Sequence, residues 1–369
     1  MEMITPTTFA ERLHAGETLL VLDIRPDEEF DEWHIPGSVQ LDIYDQLTAD
    51  PASADEVLAT LPNDNEIVTV CTAGVVSQRA RDRLLALGYD AMALENGLRG
   101  WSTVHLAAPI DVDIDGTVYQ VTRPGKGCLS YVLVSDGEAA VFDPSHYHHE
   151  YESILDSADA KLRGIFDTHV HADHLSGGHA LAAKWNVPYY LHPADAIEIA
   201  VEPIADGQQI SIGSIDIRVI HTPGHSPGSV TYALGTEALL TGDTLFHRSV
   251  GRVELGIEAA LEDTNVRENA ETLFESLRRI RAVDGDPLVL PAHDPGTPFP
   301  PVVERLQSVA KQNQDLNKSR EPFIDDIVDD VPDHPPNFLA VKRSNSGLIT
   351  IDEENLRTIE LGPNRCAAE

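Results

Sequence analysis

The sequence predicts an α/β chain in two parts, a small parallel α/β domain followed by a larger, strand-rich one. Three observations carry this reading. With 369 residues the chain is long for a single core. Its first hundred or so residues alternate strand-like and helix-like runs, the pattern of βαβ units. Beyond about residue 115, apolar runs repeatedly end on His or Asp, so successive strands deliver ligand-type residues to one sheet edge.

In the first part, "TLLVLDI" (Thr18 to Ile24) is short and apolar, as a buried strand should be. "EIVTV" (Glu66 to Val70) is a second strand and stops at Cys71. In "SQRARDRLLALG", Ala80, Leu84 and Leu87 recur at i, i+4 and i+7, which makes a helix, and Gly88 ends it. "AMALEN" resumes a strand. "STVHLAAPIDVDIDG" reads as a connector. The expected domains are therefore 1–105, a linker at 106–115, a second domain at 116–320 and a C-terminal extension at 321–369.

In the second part, "VYQVT" and "CLSYVLVSDGEAAVFD" read as successive antiparallel strands, with Asp136-Gly137 as a hairpin turn. "KLRGIFDT" is a strand that runs into "THVHADH", Thr168 to His174, and "GGHALAAKW" leaves that cluster as a helix. "QQISIGSIDIRVIHTPGH", "SVTYALG", "EALLTGD" and "PLVLPAHD" add strands, and "ENAETLFESLRRI" is helical. The acidic, Pro-rich tail from about residue 320 reads as a meandering wrap with no helical lid.

Composition narrows the partners. Asp and Glu number 61 against 26 Lys and Arg, a net charge of −35. Such a surface repels phosphate backbones and anionic lipid, so neither nucleic acid nor membrane is an expected partner. The six lysines are Lys126, Lys161, Lys184, Lys311, Lys318 and Lys342. Abundant acid with scarce lysine points to a halophilic cell. The N-terminus lacks the basic and apolar regions of a secretory signal, so the expected location is cytoplasmic. Three cysteines, Cys71, Cys128 and Cys366, do not make a disulfide framework. Cys128 reads as a core residue and Cys366 as incidental. A homodimer is allowed, although nothing in the sequence sets the oligomeric state.

Cys71 lies between a buried strand and a helix N-terminus, where backbone N–H groups and the helix dipole favour a thiolate. The alternative is an inert buried Cys. "LDIRPDEEFDEWHIPGSVQL", with Asp23, Arg25, Glu29, His34 and Gly37, resembles the first signature of the rhodanese (sulfurtransferase) family. "CTAGVVSQRA" and "LENGLRGW" resemble its catalytic end, over roughly residues 5 to 103. The resemblance implies an α/β rhodanese domain in which Cys71 carries a persulfide sulfur, with Ser77 at the substrate. Val75 and Val76 stand where many members carry a cation or hydroxyl, which suits a persulfide better than thiosulfate.

His169, His171, Asp173 and His174 are followed by His225 in "HTPGHSPGS", Asp243 in "LLTGDTLF" and His293 in "LPAHD". Imidazole and carboxylate donors suit Zn, Fe or Mn, and seven candidates exceed what one tetrahedral metal uses. Asp143 in "VFDP" is expected to support the metal loop by hydrogen bonding. The stretch from about 115 to 300 resembles the metallo-β-lactamase superfamily, an αββα sandwich. That resemblance implies one of two arrangements. In the glyoxalase II kind, two Zn(II) ions share Asp243, with His169, His171 and His225 on one and Asp173, His174 and His293 on the other. In the persulfide dioxygenase (ethylmalonic encephalopathy protein) kind, one Fe(II) per chain sits on His169, His225 and Asp243. His171, Asp173, His174 and His293 then stand behind the ligands, with Asp173 among the catalytic groups.

"GRVEL" with Arg252, "LPAHD" and the late "HPPNFLAVKRSNSG" resemble the dioxygenase branch. Arg252 is expected to clamp a substrate carboxylate. The joining of a sulfurtransferase to such a site points the same way. The expected partners are a low-molecular-weight thiol persulfide and sulfite or thiosulfate. Two other readings stand beside this one: a binuclear zinc hydrolase of thioesters or lactones, and an inactive rhodanese fold that only docks or senses sulfur compounds.

Overall fold

The computed structural model describes residues 3–255, 265–294, 299–329, 334 and 337–362. Cys366 lies outside them. The chain divides into one unit of Met1–Leu106, Arg123–Lys126 and Leu361–Pro363 and another that includes Ala107–Thr122 and Gly127–Glu360. Among the described residues no helix is long and apolar enough to cross a membrane.

In the first unit the strands are β1 (Met3–Ile4), β2 (Leu19–Asp23), β3 (Val39–Gln40), β4 (Glu66–Val70) and β5 (Ala91–Leu94). They lie in the order β1-β5-β4-β2-β3, and each neighbouring pair is parallel. The helix Val76–Ala86 follows β4 and lays Val76, Ala80 and Leu84 into a core with Leu22, Ile67 and Ala91. Gly88 takes φ +90°, the left-handed geometry that stops a helix. Asp23 and Arg25 form a buried, two-pronged ion pair, and the same guanidinium donates to the carbonyls of Glu29 and Trp33. These signature residues therefore tie the loop after β2 to its sheet.

The second unit is a sandwich of two sheets. One joins β6 (Leu106–Ile110), β7 (Thr117–Arg123), β8 (Cys128–Ser135), β9 (Glu138–Phe142), β10 (Lys161–Phe166), β11 (Tyr189–Leu191) and β12 (Glu202–Pro203), in sequence order across the sheet. The other joins β13 (Gln209–Ile212), β14 (Ile215–His221), β15 (Val230–Leu234), β16 (Ala238–Gly242), β17 (Leu288–Pro291) and β18 (Glu304–Arg305), also in sequence order. β8 and β9 pair antiparallel, and the turn between them places Asp136 and Gly137 at φ +49° and +72°, the hairpin geometry their sequence favours.

Three apolar clusters make the layers. Leu129, Tyr131, Leu133, Phe142 and Phe166 of one sheet meet Ile217, Val219, Tyr232, Leu240 and Leu290 of the other. On one outer face Tyr151, Leu155, Leu181 and Ala182, from the helices His149–Ser157 and Gly178–Trp185, pack on Val132, Val141 and Ile165. On the other, the helix Val266–Arg281 sets Ala270, Leu273, Leu277 and Ile280 against Ile220, Leu239 and Val289. The order is αββα. Helices cover both faces, so central strands such as β15 are buried along their whole length rather than alternating.

Two expectations are corrected. The connector assigned to 106–115 contains β6, the edge strand of the larger sheet, with Leu106 and Ile110 buried and Pro109 between them. Proline is tolerated on an edge strand, which disguised it as linker. The tail is helical rather than meandering: Arg320–Asp329, Phe338–Asn345 and Glu353–Ile359 are helices. Phe323 and Ile324 of the first join the outer cluster, and Phe338 packs on Ala172 and Leu255.

Candidate metal centre

Every candidate ligand follows the end of a strand. β10 leads into His169, His171, Asp173 and His174. The turn between β14 and β15 carries His225, β16 ends beside Asp243 and β17 beside His293. All seven are buried. Close backbone approach assembles them. Gly242 has φ +53°, and a Cβ there would stand 2.4 Å from Thr168 Oγ1. A Cβ on Gly251 would stand 1.8 Å from the Asp243 carbonyl oxygen. Only glycine fits either place.

The structure sorts the donors into three groups. In the first, His169 Nε2 and His225 Nε2 lie 3.5 and 3.6 Å from Asp243 Oδ2. The two rings are nearly perpendicular, at 88°. The far nitrogens are engaged: His225 Nδ1 donates to the Arg252 carbonyl at 2.7 Å, and His169 Nδ1 meets Thr168 Oγ1 at 2.9 Å. That leaves His169 Nε2, His225 Nε2 and Asp243 Oδ2 buried without a hydrogen-bond partner. Burial, then the neighbouring His169, holds His225 down at about 3, so it is neutral near pH 7. Burial opposes the charge on Asp243, but His293 and His169 outweigh it and hold the carboxyl well below the usual range. Two imidazole lone pairs and a carboxylate oxygen converging in a buried space fit a divalent cation.

The second group is Cys128, Asp173, His174 and His293. His293 Nε2 is 2.8 Å from Asp173 Oδ2, and its Nδ1 reaches Asp243 Oδ1. His174 Nδ1 is 3.2 Å from Asp173 Oδ1, and the Cys128 thiol donates to Asp173 Oδ2 at 3.3 Å. Cys128 is thus no mere core residue. It faces His293 across an antiparallel bridge in which Leu129 N bonds Ala292 O and Asp294 N bonds Gly127 O. This is a pair without mutual hydrogen bonds, the register that brings two side chains closest. Burial opposes ionisation of Asp173, yet His293 and His174 hold it well below the carboxylate range, and Asp173 in turn raises both histidines against burial.

His171 belongs to a third group with Asp143 and Asp167. Its Nε2 is 3.2 Å from Asp143 Oδ1, which also accepts from Thr168 N at 2.7 Å. Asp143 therefore supports the loop by hydrogen bonding. Burial, followed by His169, holds His171 at about 4, and burial with the neighbouring Asp143 lifts Asp167 to about 7.

Arg252 has a different place from the one expected. It is 1 % exposed, and its guanidinium is paired with Glu254 two residues on. Its contribution to the centre is the backbone carbonyl that fixes the His225 ring. In the first unit Cys71 is also 1 % exposed, and its Sγ donates to Ser77 Oγ at 3.4 Å. Ser77 is fully buried, whereas Val75 is 61 % exposed. The Cys71 carbonyl accepts from Leu98 N, and a Cβ on Gly97 would stand 1.9 Å from that oxygen. "GLRGW" thereby closes the loop around Cys71.

Comparison with known proteins agrees with both units. Residues 5–103 match the rhodanese-like domain family, and residues 123–293 match the metallo-beta-lactamase superfamily. The probable metallo-hydrolase YqgX of Bacillus subtilis is 30% identical over 46% of this chain and 85% of its own length. A hydroxyacylglutathione hydrolase of Acidiphilium cryptum is 33% identical over 48% of this chain and 69% of its own. Among solved structures, ETHE1 from Myxococcus xanthus superposes with a TM-score of 0.53 at 26% identity, covering 62% of this chain and 98% of that one. The chain belongs to the metallo-beta-lactamase superfamily and carries a rhodanese-like domain ahead of its metal-binding sandwich.

Proposed function

We propose that this enzyme oxidises a low-molecular-weight thiol persulfide at a single iron and exchanges sulfane sulfur at Cys71. One observation carries the proposal. His169, His225 and Asp243 close as a three-donor set without His171, whose Nε2 is turned to Asp143. These two imidazoles and the carboxylate would hold an iron(II), which would supply dioxygen chemistry when bound. Likeness to ETHE1 supports this branch.

The protein's own groups set up that chemistry. The Arg252 carbonyl and Thr168 hold the two imidazoles in orientation. His293 bridges Asp243 and Asp173, and Asp173 accepts a hydrogen bond from the Cys128 thiol, so protons can be held beside the three-donor set. The overall reaction balances as RSSH + O2 + H2O giving RSH, sulfite and two protons. At Cys71, attack of the thiolate on the outer sulfur of RSSH forms the Cys71 persulfide and releases RSH. Sulfite attack on that sulfur returns Cys71 and forms thiosulfate.

A binuclear hydrolase is the second reading. His171 Nδ1 and His174 Nε2, buried and without partners, favour it, as do the hydroxyacylglutathione hydrolase relatives. Metal analysis after anaerobic purification, with oxygen uptake on a synthetic thiol persulfide, separates the two. One iron per chain and sulfite formation are expected. Two zinc ions per chain, no oxygen consumed and rapid thioester cleavage would overturn the dioxygenase. Cys71→Ser should abolish sulfur transfer and leave oxygen uptake intact.

A further inference from the structure

The backbone of the metal loop from His171 to Ser176 belongs to no strand, and it is buried among ligand side chains. Its polar groups need partners. Two come from side chains far along the chain. Asn345, the last residue of the helix Phe338–Asn345, donates from Nδ2 to the carbonyls of His171 and His174, at 2.9 and 2.8 Å. Its Oδ1 accepts from Ser176 N at 3.0 Å. Both amide hydrogens are used, and the side chain is 8 % exposed. Glu360, 1 % exposed, accepts from Leu175 N at 2.5 Å. The same helix packs Phe338 on Ala172, and Lys342 Nζ donates to the Leu255 carbonyl in the segment after Arg252.

From these contacts we infer that Asn345 and Glu360 are positioning residues for the metal centre. They hold the loop in the one conformation that aims His169, His171, Asp173 and His174 inward. A loop with four alternating ligand candidates has no regular hydrogen bonding of its own to keep those side chains converging. The two C-terminal side chains bond four backbone polar groups on it, in three peptide units: the carbonyls of residues 171 and 174 and the N–H groups of 175 and 176. The inference concerns the centre itself and holds for a dioxygenase and a hydrolase alike.

The test reads metal binding rather than turnover, so its outcome is independent of the reaction proposed above. The full-length chain is stripped with chelator and titrated with cobalt(II), followed by visible absorption and chelator competition. Asn345→Ala should raise the cobalt dissociation constant at least about tenfold, within the range seen when outer partners of metal ligands are lost. Asn345→Asp should raise it further, because a carboxylate oxygen then faces two carbonyls. Glu360→Ala should weaken binding, whereas Glu360→Gln should restore it, since an amide oxygen still accepts from Leu175 N. Val341→Ala, in the same helix but outside these bonds, provides the stability control and should lower the melting temperature with cobalt affinity unchanged. Amide exchange at residues 172–176 should quicken in the Asn345 variants and in Glu360→Ala, and not in Val341→Ala. Cobalt affinity within about twofold of the parent in Asn345→Ala, or an equal loss in Val341→Ala, would overturn the inference. If Asn345→Ala does not fold, the Glu360→Ala and Glu360→Gln pair decides by the same criterion.

Discussion

Two buried clusters stand side by side in the sandwich, both built around His and Asp, and they behave differently. In the cluster of His169, His225 and Asp243, three donor atoms point at a common space and have no partner. In the cluster of Cys128, Asp173, His174 and His293, the groups lean on one another: Asp173 faces both imidazoles and a thiol, and His293 spans two carboxylates. The first arrangement is costly without a cation, because buried lone pairs are left unpaired. In the second, opposite charges offset one another, and of its imidazoles His174 still keeps a buried Nε2 without a hydrogen-bond partner. A ligand list alone cannot make this distinction; it lies in how far the groups pair with one another.

The comparison can be broken most severely at Asp243, which serves both clusters. Asp243→Ala should cost more than about a hundredfold in metal affinity, beyond the loss usual for an outer partner. Metal content after gel filtration checks this. Next comes His293→Gln. A group standing behind the ligands should leave one metal per chain and lower turnover about 10- to 100-fold. A fall from two metals to one would instead make the second cluster a metal site.

The pH dependence of the metal-free protein separates two sets of buried histidines by sign. His225 and His171 have folded values of about 3 and 4, below the ordinary 6.5. Below pH 6.5 the unfolded chain therefore takes up protons that the folded one refuses, and stability falls on acidification. His174 and His293 are raised above 6.5. Their contribution is full below that value and is lost as pH climbs through their folded values. Urea midpoints of chelated protein should peak near pH 6.5 and decline on both sides. A curve with no alkaline decline would remove the self-neutralising account of the second cluster. The smallest effect is expected of Cys128→Ser, which should keep metal content and change turnover by no more than about fivefold, the scale of one hydrogen bond.

Much of this was legible in the sequence because the signals are local. β4 runs from Glu66 to Val70 as its apolar run predicts, and Asp136-Gly137 makes the turn its residues favour. The seven ligand candidates announced themselves by following strands. What escaped depends on distant pairing. Cys128 meets His293 through strand register across 165 positions of sequence, which no local pattern encodes. Asn345 reaches the metal loop from 171 residues beyond His174. Arg252 reads as a free cation until Glu254 is seen to hold it. β6 was hidden by its proline.

The ligand-bearing loops also have a mechanical meaning. His169 hangs from one sheet of the sandwich, while His225 and Asp243 hang from the other. A cation gripped by all three is a rivet through two plates that are otherwise joined by apolar packing and by scattered hydrogen bonds such as Tyr232 Oη to the Asp167 carbonyl. Prising the plates apart must tear out the rivet. Resistance to pulling along the sheet normal, and the rate at which the chain falls to proteases, should therefore track metal occupancy more closely than any single hydrophobic contact in the core.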